Sequence, residues 1–170
     1  MDLKRYIRDV PDFPRKGIVF KDITPLLQDA SALRAALDDL SRRFGNRGIS
    51  KVVGIESRGY IFAPAIALSL SAGFIPVRKP GKLPWETAAE DYALEYGTDR
   101  LEIHVDALQR GERVLIVDDL LATGGTAAAT RRLVERLDGE VVGAGFLVEL
   151  TRLEGRSRLP GLDVQALIQF

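Results

Sequence analysis

Val117-Asp118-Asp119-Leu120-Leu121-Ala122-Thr123-Gly124-Gly125-Thr126 sets two adjacent carboxylates a few residues before a glycine turn framed by threonines. A carboxylate pair repels phosphate, yet it accepts hydrogen bonds from sugar hydroxyls and helps to hold Mg²⁺. A glycine turn that enters a helix offers the opposite, a set of unpaired N–H groups suited to an anion. Together they ask for a phosphorylated sugar. The rival readings are an acidic strand end of a nucleotide triphosphatase and a solvated turn. Neither Gly-x-x-x-x-Gly-Lys-Ser/Thr nor Gly-x-Gly-x-x-Gly occurs in the chain, which counts against a triphosphate or dinucleotide site.

These residues need a strand before them and a helix after them. Val114 to Val117 has the length and β-branched character of a strand buried on both faces, and Ala127 to Leu137 is a strong helix former. Asp118 and Asp119 are therefore expected just beyond the carboxyl end of a parallel strand, where open α/β sheets bind ligands. Gly124 and Gly125 allow a tight, left-handed or close-approach backbone, and Gly125 is expected to carry an unusual backbone angle.

A second candidate lies in Gly54-Ile55-Glu56-Ser57-Arg58-Gly59-Tyr60, again a strand end, a loop and a helix start. Arg58 on its own reads as an ordinary loop arginine, but a second anion site near the phosphate turn raises its interest. Arg78, Lys79 and Lys82 follow the next strand, Phe74 to Val77, and suit a pyrophosphate, although Lys82 fits a solvated basic edge equally well. His104 is the only histidine. The alternation of Leu101, Ile103 and Val105 with Glu102, His104 and Asp106 puts it on the polar, exposed side of a strand rather than at a catalytic centre. Trp85 is expected to pack its loop.

The remaining sequence supplies more alternation of strands and helices. Ser31 to Phe44 spaces Leu33, Leu37, Leu40 and Phe44 on one helical face, and Lys51 to Ile55, Val141 to Val148 and Val164 to Ile168 read as buried strands. A helix from about Tyr60 to Leu70 lies between. The pattern implies a single α/β domain with a mostly parallel sheet and right-handed crossovers. Residues 79–98 break it with a long Pro- and Gly-punctuated excursion, expected to be a lid. The first 30 residues, interrupted by Pro11, Pro14 and Pro25, are expected to wrap over the domain in extended conformation.

Composition sets bounds. With 170 residues, 24 basic and 24 acidic side chains and no cysteine, the protein has no global field for nucleic acid or an anionic membrane, and no disulfides or thiolate chemistry. The first ten residues lack the apolar stretch of a secretory signal, and no apolar run approaches the ~20 residues of a membrane span. A soluble cytoplasmic protein is expected.

The carboxylate and turn segment resembles the phosphoribosyl pyrophosphate (PRPP) signature of the type I phosphoribosyltransferases. The likeness continues, in order, through FPRKGIVFKDITPLL, IESRGYIF, VRKPGKLP, LEYGTDRLEIH and LVELTRLEGR. It implies the type I phosphoribosyltransferase fold, with a small N-terminal hood over residues 1–30 and a mobile lid over 79–98. It also implies ribose hydroxyls on Asp118 and Asp119, the 5′-phosphate on Ala122, Thr123, Gly124, Gly125 and Thr126, and pyrophosphate on Arg58, Arg78, Lys79 and Lys82. "LEYG" at the lid's return is similar to the branch that acts on adenine, whose glutamate reaches the purine, so Glu95 is the expected catalytic residue together with Arg58. Branches acting on 6-oxopurines tend to carry a carboxylate where Ala122 stands. By the same resemblance Val19 and Lys21 recognise adenine through backbone groups, while Phe20 and Leu150 sandwich it. Mg²⁺ as cofactor, a homodimer, and conversion of adenine and PRPP to AMP and pyrophosphate follow as implications. Transfer to another nucleobase, and a PRPP-sensing regulator without enzymatic activity, are the alternatives.

Overall fold

Short runs of valine, isoleucine and leucine with no polar face can only be strands covered on both sides. In the computed structural model, which describes residues 1–93 and 97–170, they are. An antiparallel ribbon of β1 (Arg8–Pro11) and β2 (Val19–Asp22) leads through a short helix, α1 (Thr24–Gln28), to α2 (Ala30–Phe44). The unit β3 (Lys51–Ile55), α3 (Gly59–Ser69) and β4 (Gly73–Val77) follows, then a hairpin of β5 (Thr87–Ala93) and β6 (Thr98–His104). β7 (Arg113–Leu121), α4 (Gly125–Arg136), β8 (Glu140–Glu149) and β9 (Val164–Gln169) complete the fold. The central sheet has the order β4-β3-β7-β8-β9 and every neighbouring pair is parallel.

The pleat of β7 feeds two cores. Val114 and Ile116 pack with Leu133 and Val134 of α4 and with Leu101 and Ile103 of β6. Leu115 and Val117 pack on the other face with Leu40 and Phe44 of α2 and Phe62 and Ile66 of α3. Asp29 caps α2 by accepting from the N–H groups of Ser31 and Ala32 at 3.0 and 2.8 Å, which fixes where that covering helix begins.

Several expectations are corrected here. β7 does not stop at Val117: it pairs with β8 as far as Leu121, so Asp118 lies opposite Phe146 inside the ladder. The excursion over residues 79–98 contains a strand not expected from the sequence, β5, which pairs with β6 through seven registered positions, Thr87 with His104 to Ala93 with Thr98. Residue 85 is not packed: Trp85 is 65% exposed. His104 also departs from its expected exposure, being half-buried with an Nε2 that meets no partner among the described residues.

The hairpin is fastened near the middle of its length, once through each strand. Arg78 and Glu102 exchange backbone hydrogen bonds of 3.0 and 2.8 Å, joining β6 to the end of β4. Glu90 of β5 accepts from Arg132 Nε of α4 at 2.5 Å and is also paired with Arg136, whose Nη1 donates to Ala89 O at 2.6 Å. The Arg132 hydrogen bond outweighs desolvation and holds the Glu90 carboxyl below its ordinary value. A depressed carboxyl contributes stability above its unfolded value and loses it as the pH falls through the folded one. Glu90→Gln should therefore speed amide hydrogen exchange in Thr87–Ala93 at pH 7 and leave β3 and β7 protected, a difference that should shrink toward pH 3.

Candidate active site

β7 delivers Asp118 and Asp119 to the carboxyl edge of the sheet, where neither is comfortable. Asp119 is only 4% exposed, and Asp118 Oδ1 accepts from the Asp119 N–H at 2.9 Å. Burial pushes both carboxyls above their ordinary value, most strongly at Asp118, which also faces the charge of Asp119. Arg58, at the start of α3, opposes this at Asp119 by its charge, its Nε standing 2.9 Å from Oδ2 as an ion pair. The result is an acceptor-rich wall with unmet demand for hydroxyl donors and cations.

Five residues further on the backbone turns into α4. Gly124 takes φ 80° and ψ 0°, the left-handed region, and a Cβ there would come within 2.3 Å of the Gly155 carbonyl oxygen. This corrects the expectation for Gly125, which is the first residue of α4 with no positive φ. The turn encloses a niche of about 60 Å³ bordered by Ala122, Thr123, Gly124, Gly125 and Thr126. The first N–H groups of a helix have no partner within it, so the niche is a ready anion cradle.

A larger cavity of about 430 Å³ opens beside the niche, between Arg58, Asp118, Asp119, Lys79, Tyr92 and Thr126. Its floor includes the Glu56-Ser57 peptide, which is cis. Of the cations expected for pyrophosphate, Arg58 and Lys79 line this cavity, whereas Arg78 and Lys82 do not and are tied to Glu56, which does. Arg78 Nη2 and Lys82 Nζ donate to Glu56 Oε1 at 3.2 and 2.7 Å, and the Lys79 N–H donates to Oε2 at 3.0 Å. Desolvation opposes ionisation of Glu56, but the hydrogen bonds from Lys82, the Lys79 N–H and Arg78 prevail and hold it at about 2. Lys79 Nζ itself reaches Asp99 and, at 3.1 Å, the Tyr92 hydroxyl.

A phosphate niche, a carboxylate wall and a cationic cleft at the ends of parallel strands accord with what similar proteins are. The profile of the phosphoribosyl transferase domain matches residues 21–165. The adenine phosphoribosyltransferase of Thermotoga petrophila is 57% identical over 170 residues, the full length of both proteins. The chain belongs to the adenine phosphoribosyltransferase family. The crystal structure of adenine phosphoribosyltransferase from Thermoanaerobacter pseudethanolicus superposes with a TM-score of 0.96 at 53% identity, covering 99% of this chain and 98% of that one. The Saccharomyces cerevisiae enzyme, in complex with an imino-altritol bisphosphate and adenine, gives 0.91 at 41% identity over 97% and 96% of the two proteins.

The residues that the family resemblance assigns to the base are divided by the β1–β2 ribbon. Phe20 turns to the cleft, with the Arg58 guanidinium 5.4 Å from its ring centroid and Phe13 edge-on at 5.1 Å. Val19, Lys21 and Leu150 border a separate space of about 710 Å³, in which Lys21 Nζ lies 3.9 Å from the Phe170 ring and 2.6 Å from Asp9 Oδ1. Peptide groups alternate in direction along a strand, so those of Val19 and Lys21 face one edge and that of Phe20 the other. Glu95 falls outside the described residues. Sequence reasoning missed Tyr92, whose ring contributes to the cavity wall and whose hydroxyl donates to Asp99 at 3.0 Å. Its alternation with Glu90 in a run ending at a glycine turn was the available signal.

The strained carboxylate wall yields a trade. A carboxyl whose folded value is raised costs stability once the pH exceeds its unfolded value, and costs nothing below it. Asp118→Asn should raise Tm by about 2–4 °C at pH 7 per ~1 kcal/mol of relief, with the gain fading as the pH falls through the ordinary carboxylate range. The same variant should weaken PRPP binding, measured by calorimetry.

Proposed function

We infer that this protein transfers the phosphoribosyl group of PRPP to adenine, forming AMP and pyrophosphate. The observation that carries the reading is the Asp118–Asp119 pair, the first half-buried and the second buried, leading directly into the Gly124 turn and the start of α4. That arrangement fits a sugar bearing hydroxyls on one side and a phosphate on the other. Asp118 and Asp119 accept from the ribose 2′- and 3′-hydroxyls, and the N–H groups from Ala122 to Thr126 hold the 5′-phosphate.

Departure of pyrophosphate from the anomeric carbon gives a transition state with oxocarbenium character, so alignment and charge stabilisation carry the catalysis. Arg58, Arg78, Lys79 and Lys82 surround the position for the leaving group, and the attacking N9 of adenine enters from the opposite face of the sugar, inverting the configuration. The donor set suits Mg²⁺, since carboxylate oxygens are present, but the described residues contain no cluster of three or more acidic, histidine or cysteine side chains. Asp118 and Asp119 would supply protein oxygens, with substrate oxygens and water completing the shell, and the ion would neutralise charge on pyrophosphate. The reading carries with it a homodimer in the cytoplasm, as the family resemblance implies, with residues 1–30 as a hood over the base and residues 79–98 as a lid.

Glu95, three residues beyond the cavity-lining Tyr92, manages the purine proton through N7. Positioned acid–base groups contribute about 10²–10⁴-fold, so Glu95→Gln should lower kcat by that order and leave PRPP affinity intact. His104→Ala should keep kcat within about twofold, since a side chain outside the chemistry falls in the near-neutral class of substitutions. Single-turnover kinetics on both variants checks the assignment, and a silent glutamate with a crippling histidine would reverse it.

Base choice follows from polarity. Adenine presents a donor at its 6-amino group and an acceptor at N1, whereas hypoxanthine presents the reverse. The backbone carbonyl of Val19 and the backbone N–H of Lys21 are fixed in direction, so hypoxanthine leaves buried groups facing like groups, with Phe20 on one ring face and Leu150 reaching the other only when the ribbon shifts to join the two spaces it divides. Such mismatches reach about 10⁴–10⁵ in discrimination. Steady-state competition between the two bases should show a preference of that order, retained in Lys21→Ala and accompanied by weaker purine binding in Phe20→Ala. Comparable kcat/KM for both bases would defeat the adenine reading and leave the PRPP site standing.

A further inference from the structure

The Gly124 turn leans on a segment that contributes nothing to the wall of the niche. Gly124 and Gly155 meet as bare backbone: a Cβ on Gly124 would lie 2.3 Å from Gly155 O, and one on Gly155 would lie 2.4 Å from Ala122 O and 2.9 Å from Leu121 Cδ1. No side chain stands between them to absorb movement. A displacement of Gly155 is therefore passed to the turn itself.

What holds Gly155 is its neighbour. Arg156 makes a two-pronged contact with Glu149, Nε to Oε1 at 2.6 Å and Nη2 to Oε2 at 2.7 Å, and its Nη1 donates to Val164 O at 2.7 Å. Glu149 is the last residue of β8, only 4% exposed, and also accepts from Gln169 Nε2 at 3.0 Å. The next residue, Leu150, donates its N–H to Leu121 O at 2.9 Å, in the strand that leads to the turn. One charge pair thus closes the base of the loop from Leu150 to Gly155. A buried ion pair adds little net stability over an apolar pair of equal volume, but a fork-shaped pair fixes direction.

We propose that the Glu149–Arg156 pair is a positioning device for the 5′-phosphate site, holding Gly155 against Gly124 so that the turn keeps its phosphate-binding shape. The inference rests on the reading of Ala122 to Thr126 as the phosphate turn. Neither side chain touches the ligand. Both act through the backbone contact, and their effect falls on ligands that carry the phosphate.

Calorimetric affinities for AMP and adenosine separate this role from general stability, because the two ligands differ only in the 5′-phosphate. Arg156→Lys, which keeps the charge and loses the fork, and Glu149→Gln should each weaken AMP binding about tenfold or more while adenosine changes by less than about twofold. Gly124→Ala should produce the same selective loss, and a larger one. Parallel losses for AMP and adenosine, or a lowered Tm with both affinities intact, would mean that the pair only supports the fold. Should Glu149→Gln fail to fold, Arg156→Lys decides the matter. If Gly124→Ala leaves the ratio of the two affinities unchanged, the phosphate-turn reading fails and this inference with it. A collapsed ratio in Gly124→Ala with a normal one in Arg156→Lys defeats the inference alone.

Discussion

Two carboxylates side by side at the end of a buried strand form the constraint around which the cleft is arranged. Asp118 and Asp119 sit in β7, between the cores on either side of the sheet, and burial raises both. Both line the cleft, where cations or hydroxyl donors can relieve them. Arg58 supplies part of it from the start of α3. The rest is left to a ligand, which makes the cleft by itself a store of unsatisfied acceptors facing the same opening as an anion niche. A sugar phosphate meets both demands at once.

The scaffold is built to keep that arrangement rigid where it matters. The carboxylate strand is central in the sheet, with β7 flanked by β3 and β8, and of the strands of that sheet ending at the cleft only β4, which leads to Lys79, runs along an edge. The hairpin reaches the cleft through Tyr92 yet is anchored away from it by Glu90 on α4 and by the Arg78–Glu102 bridge. Its fixed base and the helix that begins at the phosphate niche are therefore one mechanical unit, joined through two arginines one turn apart.

Much of this is legible in the sequence because the central strands carry no ambiguity. Lys51–Ile55 is readable with its observed bounds, since a short apolar run behind a single lysine, between glycine- and serine-containing loops, has few other solutions. β7 reads as ending at Val117 because aspartates ordinarily close a strand, and only the ladder with β8 carries the backbone on to Leu121. β5 is hidden for the opposite reason, its Thr-Ala-Ala-Glu-Asp-Tyr run lacking a strong apolar alternation and lying directly after a proline-rich stretch. Of the two turn glycines read as able to take a left-handed angle, only Gly124 does, a choice that composition cannot resolve because either glycine tolerates it. The brace at Gly155 is invisible, being a contact between residues 31 positions apart that leaves no mark but a glycine.

The cations of the cleft lead to a consequence for selectivity by valence. Arg58, Arg78, Lys79 and Lys82 are each paired with a carboxylate, Asp119, Glu56, Asp99 and Glu56 in turn. A singly charged anion arriving here exchanges one ion pair for another and gains almost nothing. The pyrophosphate proposed for this cleft would engage several of these cations together, and a metal counter-ion would compensate the carboxylates they leave. The cleft is thus close to electroneutral in detail, indifferent to chloride or acetate, and responsive chiefly to a ligand that can complete the exchange as a whole.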